Sequence, residues 1–226
     1  MAETKNTKGA PVASEHNQNE ALVLKYKNLI IGIICAVIVC VGVGFFVKNC
    51  TTEQFNTAST DMAKAQEYFS RAILSSDSAL FVKALNGDSI STGFVAAAEQ
   101  GGEVGNLAKL YAGLCYAQLG KMQEAANYLE QFDGVDDEMV SPAALGALGN
   151  VKAALGQLDE AVATLVKAAE KADNNTLSPQ FLIQAGDILE SQGKKEEALK
   201  LYEQIKAKYV NSVQYRSIDA YIERVK

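Results

Sequence analysis

The chain has 226 residues, 48% of them hydrophobic, with 21 Lys and Arg against 27 Asp and Glu and a formal net charge of -6. So much apolar material excludes an acidic disordered chain and leaves room for one folded domain with further segments. There is no Trp and there are only three Pro, while Ala, Leu, Glu and Lys dominate the C-terminal half, so the predicted fold class is all-α.

Residues 1–24, rich in Asn, Lys, Glu and Ala, show no apolar period and are expected to form a disordered tail. The following segment, 25–48, contains LIIGIICAVIVCVGVGFFV from Leu29 to Val47, nineteen residues without a charge. About 20 such residues cross a bilayer, and the apolar region of a cleaved signal peptide is shorter, about 7 to 15. A core helix would show a polar edge, and no Ala-x-Ala pair adjoins the run. It therefore reads as an uncleaved transmembrane signal anchor. Lys25 and Lys27 on one flank face Lys48 on the other, which leans towards a cytoplasmic N-terminus with the folded part across the membrane. Gly32, Ala36, Cys40 and Gly44, four apart, form a small-residue stripe along the span where a second helix could approach.

Residues 51–102 read as a degenerate helical repeat. TEQFNTASTDMAKAQEYFSRAIL makes a long helix, SALFVKAL a shorter one before a turn at Asn86 and Gly87, and TGFVAAAEQ a third that stops at Gly101 and Gly102. Residues 103–210 are more regular. AGLCYAQLGKMQEAANYL, LGNVKAALGQLDEAV and AGDILESQGKKEEAL place Gly113, Gly149 and Gly186 at intervals of 36 and 37 residues. Each is followed seven residues on by Gly120, Gly156 or Gly193, and five later by Ala125, Ala161 or Ala198. Such a period marks a solenoid, whose units cannot bury their apolar faces alone.

The predicted helix pairs are Val104 to Leu119 with Gln123 to Phe132, Pro142 to Leu155 with Asp159 to Lys171, and Pro179 to Gln192 with Lys195 to Tyr209. Ser141 and Ser178 are placed as helix caps before their prolines. A mid-helix glycine costs about 1 kcal/mol against alanine, so Gly113, Gly149 and Gly186 are expected where a partner helix packs very close. Tyr116, Leu119, Tyr128 and Leu129 supply apolar bulk around the first contact, with Leu155, Leu165, Leu189 and Tyr202 further along. In residues 211–226, Ile218, Tyr221, Ile222 and Val225 share one face, predicting a capping helix.

A helical hairpin of this length with small, large and small residues in this order resembles the tetratricopeptide repeat. In that likeness the small residue of the first helix matches Gly113, Gly149 and Gly186, and the next large one matches Tyr116 and Leu189, with Lys152 departing in the middle copy. The early aromatic position is filled instead by Lys109, Leu145 and Leu182. A short tail, one span and then repeats are similar to single-span tetratricopeptide proteins of the bacterial cell envelope, among them the ancillary subunit of the Sec translocon. GNLAKLYAGLCYAQLGK and YVNSVQYRSIDAYI carry that likeness best. It implies an inner-membrane protein with periplasmic repeats whose partners are other proteins, translocon or envelope-assembly components included.

Chemistry is nearly absent. The single histidine, His16, falls in the tail, which removes histidine triads and zinc sites from the folded part. No glycine-rich phosphate loop occurs, and from Lys48 onward 17 basic and 24 acidic residues would repel nucleic acid. Glu124, Asp159, Glu160, Glu196 and Glu197 sit at helix starts and read as a solvated face. Cys35 and Cys40 fall in the span and Cys115 at a buried position; Cys50 either stays a free thiol or links two chains into a homo-oligomer. No cofactor, metal or enzymatic activity is expected.

The resemblance implies that first helices line a groove. The matching positions are Leu107, Leu110, Leu114 and Gln118, then Ala143, Gly146, Asn150 and Ala154, then Gln180, Ile183, Asp187 and Glu190. That groove would be apolar at one end and mildly acidic at the other, without the lysines and arginines that clamp a terminal carboxylate. The expected function is a membrane-tethered protein–protein interaction scaffold in protein export or envelope assembly. The alternative is a receptor on an organelle membrane with its repeats in the cytosol, recognising targeting segments.

Overall fold

Three glycines in the left-handed region, Gly120, Gly156 and Gly193, with φ of +74°, +79° and +75°, end the first helix of each predicted pair. After each, the next amide reaches back to a carbonyl five residues earlier: Lys121 to Tyr116, Gln157 to Lys152 and Lys194 to Leu189, all at 2.9 Å. This is the six-to-one closure that satisfies orphan carbonyls at a helix end, and it recurs at the turn of all three hairpins. A computed structural model describes residues 59–226 apart from residue 61. They belong to one compact unit, Phe55–Lys226. The expected tail with His16, the span with its small-residue stripe, and Cys50 lie outside the described residues.

Helix α1 runs through residues 62–75 and α2 spans Ser78–Asn86. A two-stranded antiparallel hairpin, β1 (Gly87–Asp88) with β2 (Ser91–Thr92), precedes the short α3 (Phe94–Ala98). The hairpin pairs are α4 (Gly102–Gln118) with α5 (Met122–Glu130), α6 (Val140–Ala154) with α7 (Leu158–Ala172), and α8 (Ser178–Ser191) with α9 (Lys195–Lys208). A 3-10 turn, Gln214–Arg216, leads into α10 (Ile218–Val225).

Two expectations for the opening segment are corrected. Where a simple turn was expected after α2, the chain makes the β1–β2 hairpin, which Tyr68 ties to α1 by donating to Asp88 Oδ2 at 2.7 Å and Lys64 by donating to the Ile90 carbonyl at 2.8 Å. Gly102 does not stop a helix but begins α4, while Gly101 makes the bend with φ +71°. Phe69, Phe81, Phe94 and Tyr111 fill this end; Phe94 and Tyr111 stack with centroids 5.0 Å apart. A second core lies among α4, α5 and α6, and a third runs through α7 to α10 around Leu165, Leu182, Tyr202 and Ile218.

Ser141 and Ser178 are not caps. Both are buried inside the first turn of their helices and donate backwards, Ser141 Oγ to the Val135 carbonyl and Ser178 Oγ to the Ala169 carbonyl, each at 2.7 Å. Asp137 caps α6 instead, accepting from the amides of Met139 at 2.7 Å and Ser141 at 3.0 Å, from the amide of Val140, and from the Ser141 hydroxyl. Before α8, Asn174 holds the preceding turn by accepting from the amides of Thr176 and Leu177. A serine just before a proline was the nearer candidate by sequence, but at α6 the Asp137 carboxylate, four residues before Ser141, reaches more free amides.

The Asp137 carboxyl is pushed up by partial burial, yet the Ser141 hydroxyl and three backbone amides outweigh that and hold it at about 2, below its ordinary 3.8. A depressed carboxyl stabilises the fold above its unfolded pKa and loses that contribution as pH falls through the folded one. Asp137→Ala is expected to cost about 1 kcal/mol at neutral pH, the usual worth of a helix cap. The gap to the parent chain should close as pH falls from near 4 towards 2, read by thermal unfolding at a series of pH values.

Candidate partner-binding surface

The surface is positioned by glycine. A methyl group built on Gly113 would lie 2.6 Å from Leu129 Cγ and 3.2 Å from the Ala125 carbonyl; on Gly149, 2.7 Å from Leu165 Cγ and 3.3 Å from the Ala161 carbonyl. On Gly186 it would meet the Tyr202 ring at 2.4 Å. Ala125, Ala161 and Ala198 are fully buried. Each glycine thus takes the large residue four positions beyond the small one on the partner helix, and in the first two pairs the alanine contributes its carbonyl. This contact locks the two helices of each pair together.

Lys152, which stands where the other copies have Tyr116 and Leu189, keeps the middle pair tight by another route. Its side chain is only 15% exposed, and its ammonium lies 2.9 Å from Glu160 of α7 and 3.4 Å from Glu130 of α5. The hydrogen bond to Glu160 raises its pKa against the opposing effect of burial. In the first pair the same level is held by Tyr116 stacked on Tyr128 at 5.4 Å.

The predicted groove row divides into open and committed positions. Gln118, Ala143, Asn150, Ala154, Gln180 and Asp187 are exposed, and Ile183 and Glu190 are half-buried. Leu107 and Leu114 are half-buried against the core, and Leu110 is buried within it. Gly146 is also closed: a methyl there would sit 2.2 Å from the Phe181 ring of α8, so it serves contact between successive first helices. Leu110 and Gly146 are corrected from groove lining to packing, because neighbouring repeats bury those positions before any partner arrives.

The acidic end is not bare. Arg224, on α10, donates to Asp187 Oδ1 at 2.8 Å and to Glu190 Oε1 at 2.6 Å, and its guanidinium lies 4.8 Å from the centre of the Tyr221 ring. The Tyr202 hydroxyl donates to Glu190 at 2.6 Å and Asp187 at 3.2 Å. Burial pushes the Glu190 carboxyl up, but Arg224 and Tyr202 outweigh it and hold it below 4.5. An arginine three residues after Tyr221 sits at the edge of the apolar face of α10, the one sequence signal that could have placed it here. Ile218, Ile222 and Val225 of that face are buried as expected, and Tyr221 lies tilted on Tyr202 at 5.4 Å.

Arg224→Ala is expected to loosen α10 by about 1 kcal/mol, below the usual worth of hydrogen bonds to charged groups because the guanidinium is about half exposed. Amide hydrogen exchange along α10 would report it. Since the Glu190 pKa is lowered, the parent chain should keep this contribution at neutral pH and lose it as pH falls below about 4.5.

Among the described residues no cluster of His, Cys, Asp and Glu could hold a metal ion. Cys115 is buried among apolar neighbours, which pushes its thiol up to about 12 and keeps it from acting as a thiolate.

The sequence profile of the tetratricopeptide repeat-like domain matches residues 25–221. The chain belongs to this family. No curated protein matches it. Among solved structures it is similar to the TPR-like repeats of a Podospora anserina protein described as a kinesin light chain, with a TM-score of 0.50 and 18% identity, over 74% of this chain and 83% of that one. At that identity the likeness speaks to the fold alone, an all-α solenoid of helical hairpins. As a tetratricopeptide repeat-like protein the chain is of a class that binds other proteins.

Proposed function

We propose that this protein is a membrane-tethered scaffold that holds a partner protein beside the inner membrane and serves protein export or cell-envelope assembly. The single observation that carries the scaffold reading is the contrast along the first helices. Gln118, Asn150 and Ala154 stay exposed and unpaired by charge, on backbones that glycine contacts hold rigid. A preformed surface of small and amide side chains pays little ordering entropy when a partner docks.

The tether is proposed from the uncharged run Leu29 to Val47, and the family match beginning at residue 25, ahead of that run, supports treating it as an integral part of this chain type. No helix among the described residues is long and apolar enough to cross a membrane. The cytoplasmic N-terminus and periplasmic repeats are proposed from the lysine flanks, two on one side of the run against one on the other. The protein is proposed to perform no chemistry itself.

Protease added to intact spheroplasts tests the orientation: repeats digested without lysis support it, and repeats protected until the inner membrane is lysed favour the cytosol-facing receptor. Photocrosslinking from position 150, followed by purification in mild detergent, tests the partner surface. Recovery of translocation or envelope-assembly proteins is expected. Crosslinking confined to chains of this protein itself would sink the scaffold reading.

A further inference from the structure

A cleft of about 250 Å3 opens between α5, α6 and α7 on a side of α6 away from the groove row. Leu129 and Leu148 floor it, Phe132 and Leu145 wall it, and Lys167 and Lys171, one turn apart on α7, stand at its mouth. On α6 the cleft takes Ala144, Leu145 and Leu148, whereas Ala143, Asn150 and Ala154 lie on the other side of the helix.

Three features make this a built site. The wall formed by the loop after α5 is fixed in advance: Asn106 donates to the Asp133 carbonyl at 2.5 Å and accepts from the Asp133 amide at 2.8 Å, and Asn174 donates to the Glu138 carbonyl at 3.1 Å. Asp137 spends its carboxylate on the α6 cap. The two lysines remain uncommitted: the loop carries Asp133, Asp136, Asp137 and Glu138, yet neither lysine forms an ion pair with any described residue. Most other basic side chains of the unit are engaged, Lys152, Lys194, Lys206, Lys208 and Arg224 by carboxylates. Lys171 reaches across the loop, its ammonium beside Gly134.

Size and charge together select the occupant. Sites for small-molecule ligands occupy about 300–1,000 Å3, so this cleft is small for one but fits one or two large apolar side chains. Two ammonium groups one turn apart, about 5–6 Å between their Cβ atoms, ask for carboxylates close beside that anchor. We propose that the cleft is a docking site for an acidic segment of a partner protein, with a Leu- or Phe-sized anchor on the apolar floor and flanking Asp or Glu side chains on Lys167 and Lys171. This shares with the proposed function only the premise that the chain binds proteins, and failure here leaves the groove reading untouched.

The test is fluorescence anisotropy on the full-length chain in detergent. The probes are labelled dodecapeptides capped at both ends, carrying Glu-Glu-Leu-Phe-Glu-Glu in a Gly-Ser background. Replacing the glutamates by Gln, or Leu-Phe by Ala-Ala, should each weaken binding at least tenfold. K167E/K171E should do the same and abolish the preference for Glu over Gln, while K200E, a distant exposed lysine, should change affinity less than twofold. Absence of binding, equal affinity of the Glu and Gln peptides, or indifference to K167E/K171E would overturn the proposal. So would displacement of the peptide by decanoate at equal concentration, which would make the cleft a fatty-acid site, or binding only by an uncapped peptide through its terminal carboxylate.

Discussion

Gly93→Ala should be among the most damaging single-methyl additions in the described unit, lowering stability by about 3 kcal/mol, the upper end of ordinary overpacking. The methyl would sit 2.1 Å from the Leu85 carbonyl oxygen, 2.3 Å from the Gly87 nitrogen and 2.4 Å from the Asn86 carbonyl carbon. All three are backbone atoms, so no side chain can rotate aside. Relief requires the end of α2 or the start of α3 to move, and α3 carries Phe94, fully buried and stacked on Tyr111. At about 2–4 °C per kcal/mol for a domain of this size, Tm should fall by roughly 6–12 °C. Gly101→Ala is the matched control. It has φ +71° but nothing within 4 Å of the added methyl, so it incurs conformational strain alone, about 1–2 kcal/mol. A Gly93→Ala variant no less stable than Gly101→Ala would mean that the backbone does not cross itself at the β1–β2 hairpin.

That crossing also shows where sequence reading stops. The three hairpins were legible because the glycines and alanines recur at a fixed interval, and periodicity averages out local ambiguity. The β1–β2 hairpin is four paired residues, far too few to show alternation, and Ser91 and Thr92 carry no apolar signal. The caps were misassigned for a similar reason. Ser141 and Ser178 stood beside prolines, but which oxygen meets the free amides depends on how the loop folds back: Asp137 takes those of α6, while Ser178 turns its hydroxyl to the Ala169 carbonyl. The groove row was legible as a helix face but not as a surface. Whether Leu110 and Gly146 are open depends on the next repeat, and Gly146 is closed by a Phe181 ring 35 residues away in sequence. Arg224 was invisible at the acidic end because its partners lie 34 and 37 residues earlier.

Gly186→Ala should destabilise the C-terminal hairpin by about 2 kcal/mol, even though alanine improves helix propensity by about 1 kcal/mol. The added methyl would press on the Tyr202 ring at 2.4–2.6 Å and on its hydroxyl at 2.7 Å, and the ring cannot swing away without cost. It is fully buried, its hydroxyl is tied to Glu190 and Asp187, and Tyr221 of α10 lies against it. At Gly149 the facing group is the branched end of Leu165, which has more rotamers to offer, so Gly149→Ala should cost less. A double-mutant cycle with Tyr202→Leu separates crowding from other effects. The single change at Tyr202 leaves Glu190 short of a donor and opens space, but combined with Gly186→Ala that space receives the methyl. The double variant should therefore be more stable than the sum of the singles predicts by more than 1 kcal/mol. Because a solenoid's stability is a sum of units and neighbouring interfaces, the loss should appear first as hydrogen exchange in α8, α9 and α10 while α4 and α5 stay protected. Additive singles, within about 0.5 kcal/mol, would mean that glycine and ring do not share space, and the close approach that aligns the first helices into one surface would have to arise elsewhere.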